Sequence, residues 1–184
     1  MLHGIFTFVI DTVAGLFAGF LLLRFWMQAL RVRPPMGLAQ SVFQLTDWLI
    51  HPIRRLIPGF AGYDWASLIA VFLVALLATT LEYVFIPQVS LPVIALLALF
   101  RIAQWILYGF MALLVLEAVF SWVNPHAPFA PFIRALNGPV LSPLRRLIPV
   151  LGGIDFSPLV ALIALQVLNR LLDELLPALI RLSY

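Results

Sequence analysis

The chain has 184 residues, of which 64% are hydrophobic and 10% charged, with a formal net charge of +3 and a mean hydropathy of +1.09. Soluble domains carry about a quarter charged residues, so this composition points to a membrane protein. Cysteine is absent, which excludes disulfides, thiolate metal sites and thiol catalysis. The eleven basic residues are all Arg, scattered singly or in pairs, and give no polybasic arm for nucleic acid.

Residues 5–30 form the first predicted span. From Ile5 to Leu23 the run carries one acid, Asp11, and Arg24 follows inside Leu21-Leu-Leu-Arg-Phe-Trp-Met-Gln28. About 20 residues at 1.5 Å rise cross a hydrocarbon core, so this run suffices with modest tilt. Arg31, Arg33, Pro34 and Pro35 end it. The apolar run is too long, and its first basic residue too late, for a cleaved leader, so it is expected to be retained. Residues 36–51 set Leu38, Val42, Leu45, Trp48 and Leu49 at helical spacing. They predict an amphipathic helix, too short and polar to span, lying in the interface. The stretch from Pro52 leads to a turn at Gly62, after which Asp64 or Ser67 can cap the next helix.

The second span is expected over 65–86, with Trp65 and Tyr83 in the interfacial belts, Glu82 near its far end and Pro87 closing it. Residues 91–123 are apolar except for Arg101, Gln104 and Glu117. Such a run is about 50 Å long, more than the ~30 Å hydrocarbon core. It is therefore divided into a short interfacial or kinked piece, 91–100, and a third span, 102–123. The connection 124–156 opens on Asn124-Pro125, holds five prolines up to Pro143, and turns at Gly152-Gly153. Ser157 as N-cap with Pro158 behind it starts the fourth span, which runs to 177. Asn169, Arg170, Asp173 and Glu174 make its second half pack inward or protrude from the bilayer.

One stretch occurs twice. Pro52-Ile-Arg-Arg-Leu-Ile-Pro58, running on to Gly62 and Asp64, returns 91 residues later as Pro143-Leu-Arg-Arg-Leu-Ile-Pro149, running on to Gly153 and Asp155. Over 51–70 against 142–161, ten of twenty positions are identical without a gap. The chain thus reads as a duplication with halves 1–90 and 91–184. The expected fold is all-α, with four transmembrane helices in two parallel repeats and interfacial amphipathic segments. Seven Arg (31, 33, 54, 55, 134, 145 and 146) lie in the repeat loops, against Arg101, Arg170 and Arg181 on the opposite side and at the chain ends, with Arg24 inside the first span. The positive-inside rule then puts loops 31–64 and 124–156 in the cytoplasm and both termini on the periplasmic side of an inner membrane.

Three groups of residues are candidates for function. Arg54, Arg55, Arg145 and Arg146, with Asp64 and Asp155, read as a clamp for lipid phosphate or a partner, because a guanidinium donates two parallel hydrogen bonds to such groups. The plainer reading is a topology anchor with locally paired acids. Arg24 and Glu117 each lie seven residues before a loop opens, about 10 Å inside the helix end. Charges at that depth need partners, and their opposite signs predict an Arg24–Glu117 ion pair, serving as helix glue or as a gate or proton relay. Asp11, Glu82 and Asp173 gather at the other end. They are read as a cation path or as helix-end acids paired with Arg101 and Arg170. Nucleophile and phosphate-loop motifs are missing, His3, His51 and His126 lie far apart, and no cofactor or metal is expected.

On Leu21–Gln28, Pro52–Asp64, Ser121-Trp-Val and Pro143–Pro158 the chain resembles the YggT (YlmG) family of small bacterial and plastid membrane proteins. The doubled Pro-x-Arg-Arg-x-x-Pro with its downstream Asp carries the likeness. One departure is Arg33-Pro34-Pro35 where the second half has Asn124-Pro125. The resemblance implies an inner-membrane or thylakoid address, links to osmotic tolerance and cation homeostasis, and roles in division and cytochrome assembly, without an established enzymatic activity. The function expected is a membrane scaffold or assembly factor meeting anionic lipid and other membrane proteins, or else a component of potassium transport. A chain of only four spans also invites self-association.

Overall fold

Apolar runs without a period-two alternation build helices, and six of them make up the fold. The structure, a computed structural model, describes residues 2–57, 59, 62–84, 89–124, 126–148 and 155–182. The Gly152-Gly153 turn, the second span's end at Ile86-Pro87, and Pro58, Pro125 and Pro149 lie outside them. The helices are α1 (Leu2–Ala29), α2 (Met36–Leu56), α3 (Trp65–Tyr83), α4 (Leu91–Val123), α5 (Ala130–Leu147) and α6 (Ser157–Leu182), and no strand is present among the described residues. Three of them are long and apolar enough to cross a membrane, over Gly4–Ala29, Trp65–Tyr83 and Leu91–Ser121. α6 is long enough, but Arg170, Asp173 and Glu174 make it more polar.

Two stretches differ from expectation. α4 is continuous through Arg101, because Glu82 and Asp11 neutralise that guanidinium and leave no reason to break the helix. The two Pro-x-Arg-Arg stretches are the last turns of α2 and α5 rather than loops, with Pro52, Pro139 and Pro143 inside the helices. Each of these prolines is on an exposed face, where headgroups or water can satisfy the carbonyl left without its N–H. α1 ends before Pro34: Val32 N–H bonds Met27 O at 2.9 Å and Arg31 N–H bonds Gln28 O at 3.1 Å, with Arg31 at φ +53°. That is the left-handed cap usually given to glycine.

The two halves pack alike. α1 lies against α3 as α4 does against α6, while α2 bridges α1 and α3 as α5 bridges α4 and α6. Small residues on α3, notably Ala66, Ala70 and Ala75, let its backbone approach Ala18, Leu21 and Leu22 of α1. α4 joins the halves through α1 and α3. There Trp105 meets Gly15, and Trp26 packs at a tilt against Phe110 (4.5 Å between centroids) beside Gly109. A second core spans the halves, with Met27 and Val42 against Leu113, Phe132, Ile133 and Leu136. α2 buries Val42, Thr46, Ile50 and Ile53. Leu45 and Trp48, part of the apolar face expected to lie in the interface, are exposed. Outward-facing Phe8, Val13 and Leu16 on α1 and Leu159, Ile163 and Val167 on α6 give the apolar surface that lipid tails would cover.

Candidate functional site

Arg24 is 6% exposed on α1, and α2 and the loop before α3 supply its partners. Its Nη1 donates to Thr46 Oγ1 at 2.8 Å and pairs with Asp47 Oδ1 at 2.5 Å, while Nε lies 3.5 Å from Asp64 Oδ2. Thr46 donates onward to Val42 O, and the Phe43 ring sits 4.8 Å from the guanidinium carbon. Asp64 Oδ2 also accepts from Arg54 Nη2 (2.8 Å) and Ser67 Oγ (2.7 Å). Asp64 thus stands at the N-cap of α3 with its carboxylate engaged by two Arg, and it makes no side-chain cap bond.

The second half has the same frame with a reversed sign. Glu117, also 6% exposed, accepts from Arg145 Nη2 at 2.9 Å and from Asn137 Nδ2 at 2.7 Å. Arg145 Nε reaches Asp155 Oδ2 at 2.8 Å, and Asp155 Oδ1 accepts Ser157 N–H at 2.9 Å. Asp155 therefore caps α6 through the Ser157 N–H, in the role expected of the Ser157 hydroxyl. Burial works against both charges here. The mutual hydrogen bonds outweigh it, holding the Asp155 carboxyl below its ordinary range and the Arg145 guanidinium above its own. Under the 91-residue shift Thr46 corresponds to Asn137, Arg54 to Arg145 and Asp64 to Asp155, while Asp47 corresponds to Gly138. Where the first-helix charge changes from Arg to Glu, the acid of the second helix is gone and the last-turn Arg swings in to replace it.

The expected Arg24–Glu117 pair is thus corrected. Among the described residues no bridge joins them, because each is satisfied within its own half. Sequence reasoning found their depth and missed Thr46, Asp47 and Asn137. The available signal was that positions 46 and 137 are repeat equivalents, both polar, on otherwise apolar helix faces. Arg55 and Arg146 are exposed and make no ion pair among the described residues. A cavity of about 460 Å³ opens between α1 and α2 beside Arg24, Gln28, Asp47, His51 and Arg54; another of about 350 Å³ touches His51, Arg54 and Arg55.

At the other end Arg101 pairs with Glu82 and lies 3.7 Å from Asp11. Glu82 Oε1, Thr79 Oγ1 and Arg101 Nη1 are buried there without partners among the described residues. Asp173 is not part of this cluster. It is exposed and accepts from Gln104, while Arg170 faces Glu174 at 3.4 Å. No group of three metal-ligating side chains converges among the described residues.

Apolar helices held by duplicated buried charge networks define a two-repeat helical protein with membrane-type helices. The chain belongs to the CCB3/YggT family, whose model matches it twice, over residues 3–85 and 96–176. It is similar to the uncharacterized protein YggT of Escherichia coli, 35% identical over 94% of this chain and 91% of that one. An uncharacterized protein of Pseudomonas aeruginosa is 33% identical, over 93% of this chain and 89% of its own length. A third, described only by its position in the proC 3' region of Vibrio alginolyticus, is 29% identical over 92% and 94%. No solved structure matches.

Proposed function

We propose that the chain is a non-enzymatic inner-membrane scaffold or assembly factor, with four spans in two parallel repeats and an Arg-bearing cytoplasmic surface that meets anionic lipid and other membrane proteins. The observation that carries this reading is the division of labour within each Arg pair. Arg54 and Arg145 are tied inward to Asp64 and Asp155, while Arg55 and Arg146, exposed at the same helix end, make no ion pair among the described residues. A rigid frame presenting an unneutralised guanidinium in each half suits recognition of anionic groups.

Charge spacing supports counting α6 as a span. Charge-free stretches separate Asp11 from Arg24, Asp64 from Glu82, Arg101 from Glu117 and Asp155 from Arg170. Each corresponds to roughly 20–27 Å of helix, close to the thickness of a hydrocarbon core. Four spans of this kind put both Arg pairs on one side, which the positive-inside rule assigns to the cytoplasm. The test is crosslinking in cells from a photoreactive residue at Leu147. Wild-type adducts should disappear with Arg145→Ala plus Arg146→Ala while the protein stays in the membrane. Unchanged adducts would sink the reading.

One observation favours a second reading, a component of potassium transport in osmotic adaptation. Glu82 is a buried acid with an unpartnered oxygen on the same Arg101 as the half-exposed Asp11, and buried acids mark ion paths in membranes. Potassium flux into proteoliposomes that falls with Glu82→Gln would favour it. Flux no greater than that of empty liposomes would remove it.

A further inference from the structure

The two halves differ in the charge they leave over. Around the first network, Arg24, Arg54 and Arg55 face Asp47 and Asp64, an excess of one positive charge before His51 is counted. Around the second, Arg145 and Arg146 face Glu117 and Asp155 and balance them. The first half has cavities beside its surplus charge. His51, Arg54 and Arg55 stand at i, i+3 and i+4, on one face of α2. His51 and Arg54 border both cavities, and Arg24 and Gln28 line the larger. In the second half the position of His51 is taken by Ser142. The cavity of about 460 Å³ falls in the range of small-ligand sites.

We infer that these two adjoining cavities of the first half bind the phosphate group of an anionic phospholipid, with His51 and Arg54, which border both, and Arg55, which borders the smaller, as donors and Gln28 at the rim of the larger. A guanidinium pair with an adjacent imidazole matches the several acceptor oxygens of one phosphate. Asp47 and Asp64 hold Arg24 and Arg54 in position and also limit the affinity, which selects a fully charged phosphate over a zwitterionic headgroup. Lipid is favoured over free phosphate because the same helix exposes Trp48 (68%), Leu56 (83%) and, just past its end, Ile57 (41%). These are apolar surfaces at headgroup level, beside which acyl chains would run. The inference rests on the reading that α2 lies at the membrane surface.

The experiment titrates the purified full chain in a neutral detergent with short-chain phosphatidic acid, short-chain phosphatidylcholine and inorganic phosphate, counting bound molecules by native mass spectrometry. Phosphatidic acid should bind at one site, at least ten-fold more tightly than phosphatidylcholine or inorganic phosphate. His51→Ala with Arg55→Ala should weaken it about ten-fold with helix content unchanged, and Arg146→Ala by less than two-fold. Arg55 is exposed and has no ion-pair partner among the described residues, so its loss reads binding without unfolding the frame. Equal losses from Arg55→Ala and Arg146→Ala would reduce the effect to general surface charge and overturn the site. Inorganic phosphate binding as tightly as the lipid would overturn the lipid source. Loss of selective binding while crosslinked partners persist sinks this inference alone; loss of partners while binding persists sinks the scaffold reading alone.

Discussion

Arg24 shows what a single charge demands inside a helix bundle. Its removal leaves Asp47 without its counter-charge and Asp64, 2% exposed, with Arg54 alone, and breaking a buried pair from one side costs about 3–5 kcal/mol. Arg24→Gln should therefore lose about 3 kcal/mol in unfolding by a denaturing detergent, at the low end of that range because Asp47 is partly exposed. Adding the second half's solution, Arg24→Glu with Asp47→Gly, should recover more than half of the loss of Arg24→Glu alone, since Arg54 can then serve two carboxylates as Arg145 does. No recovery would mean that the two networks are not equivalent. Asp155 gives a pH signature. Its folded-state carboxyl lies below the ordinary 3.8, so its stabilisation is complete above that pH and fades as pH falls through the lower folded value. Exchange protection of the Ser157 N–H, corrected for intrinsic rate, should hold from neutrality to about pH 3.8 and then fall. In Asp155→Asn it should be low at every pH.

At the scale of elements, much was legible in the sequence. Apolar runs gave α1 and α3, and the amphipathic period gave the start of α2, because those signals are local. Segments ruled by tertiary partners were not legible. Arg101 looked like a break because the run 91–123 is longer than a hydrocarbon core and too few apolar residues precede that charge; Glu82 and Asp11 neutralise it from other helices, and the helix runs on. The Arg-Arg stretches looked like loops because Pro argues against helix, yet exposed prolines in α2 and α5 leave carbonyls that the surroundings can satisfy. The partners of Arg24 and Glu117 were hidden because α2 and α5 read as surface helices, with no sign that Thr46 and Asn137 turn inward. Packing between α1 and α4 has its own test. A methyl on Gly109 would sit 2.8 Å from the Trp26 ring, which is held by Phe110, whereas Gly19 has nothing within 4 Å. Gly109→Ala should cost about 1–3 kcal/mol and Gly19→Ala should leave the melting temperature nearly unchanged.

For the whole molecule the open question is how many helices cross the bilayer, and the chain's lack of cysteine makes single-cysteine labelling free of background. Leu56 and Leu147 are repeat equivalents, 83% and 78% exposed, and Val84 is 60% exposed at the far end of α3. Leu56→Cys and Leu147→Cys should react with a membrane-impermeant maleimide only from the cytoplasmic side, and Val84→Cys only from the other. Glu174→Cys decides α6: it should label with Val84→Cys if that helix spans, and with Leu147→Cys if it does not.

The reversed sign at Arg24 and Glu117 also bears on how such a chain assembles. Its amphipathic helices α2 and α5 resemble each other closely, and a nascent chain holds both near the same surface. Docked on α1, α5 would offer Gly138 where Arg24 needs the acid of Asp47. Docked on α4, α2 would bring Asp47 against Glu117. The first exchange leaves a buried charge short of its partner, and the second sets like charges together in a poorly solvated place, where repulsion is strong. A duplicated protein risks confusing its two copies, and here one inverted charge serves as the address that returns each helix to its own half.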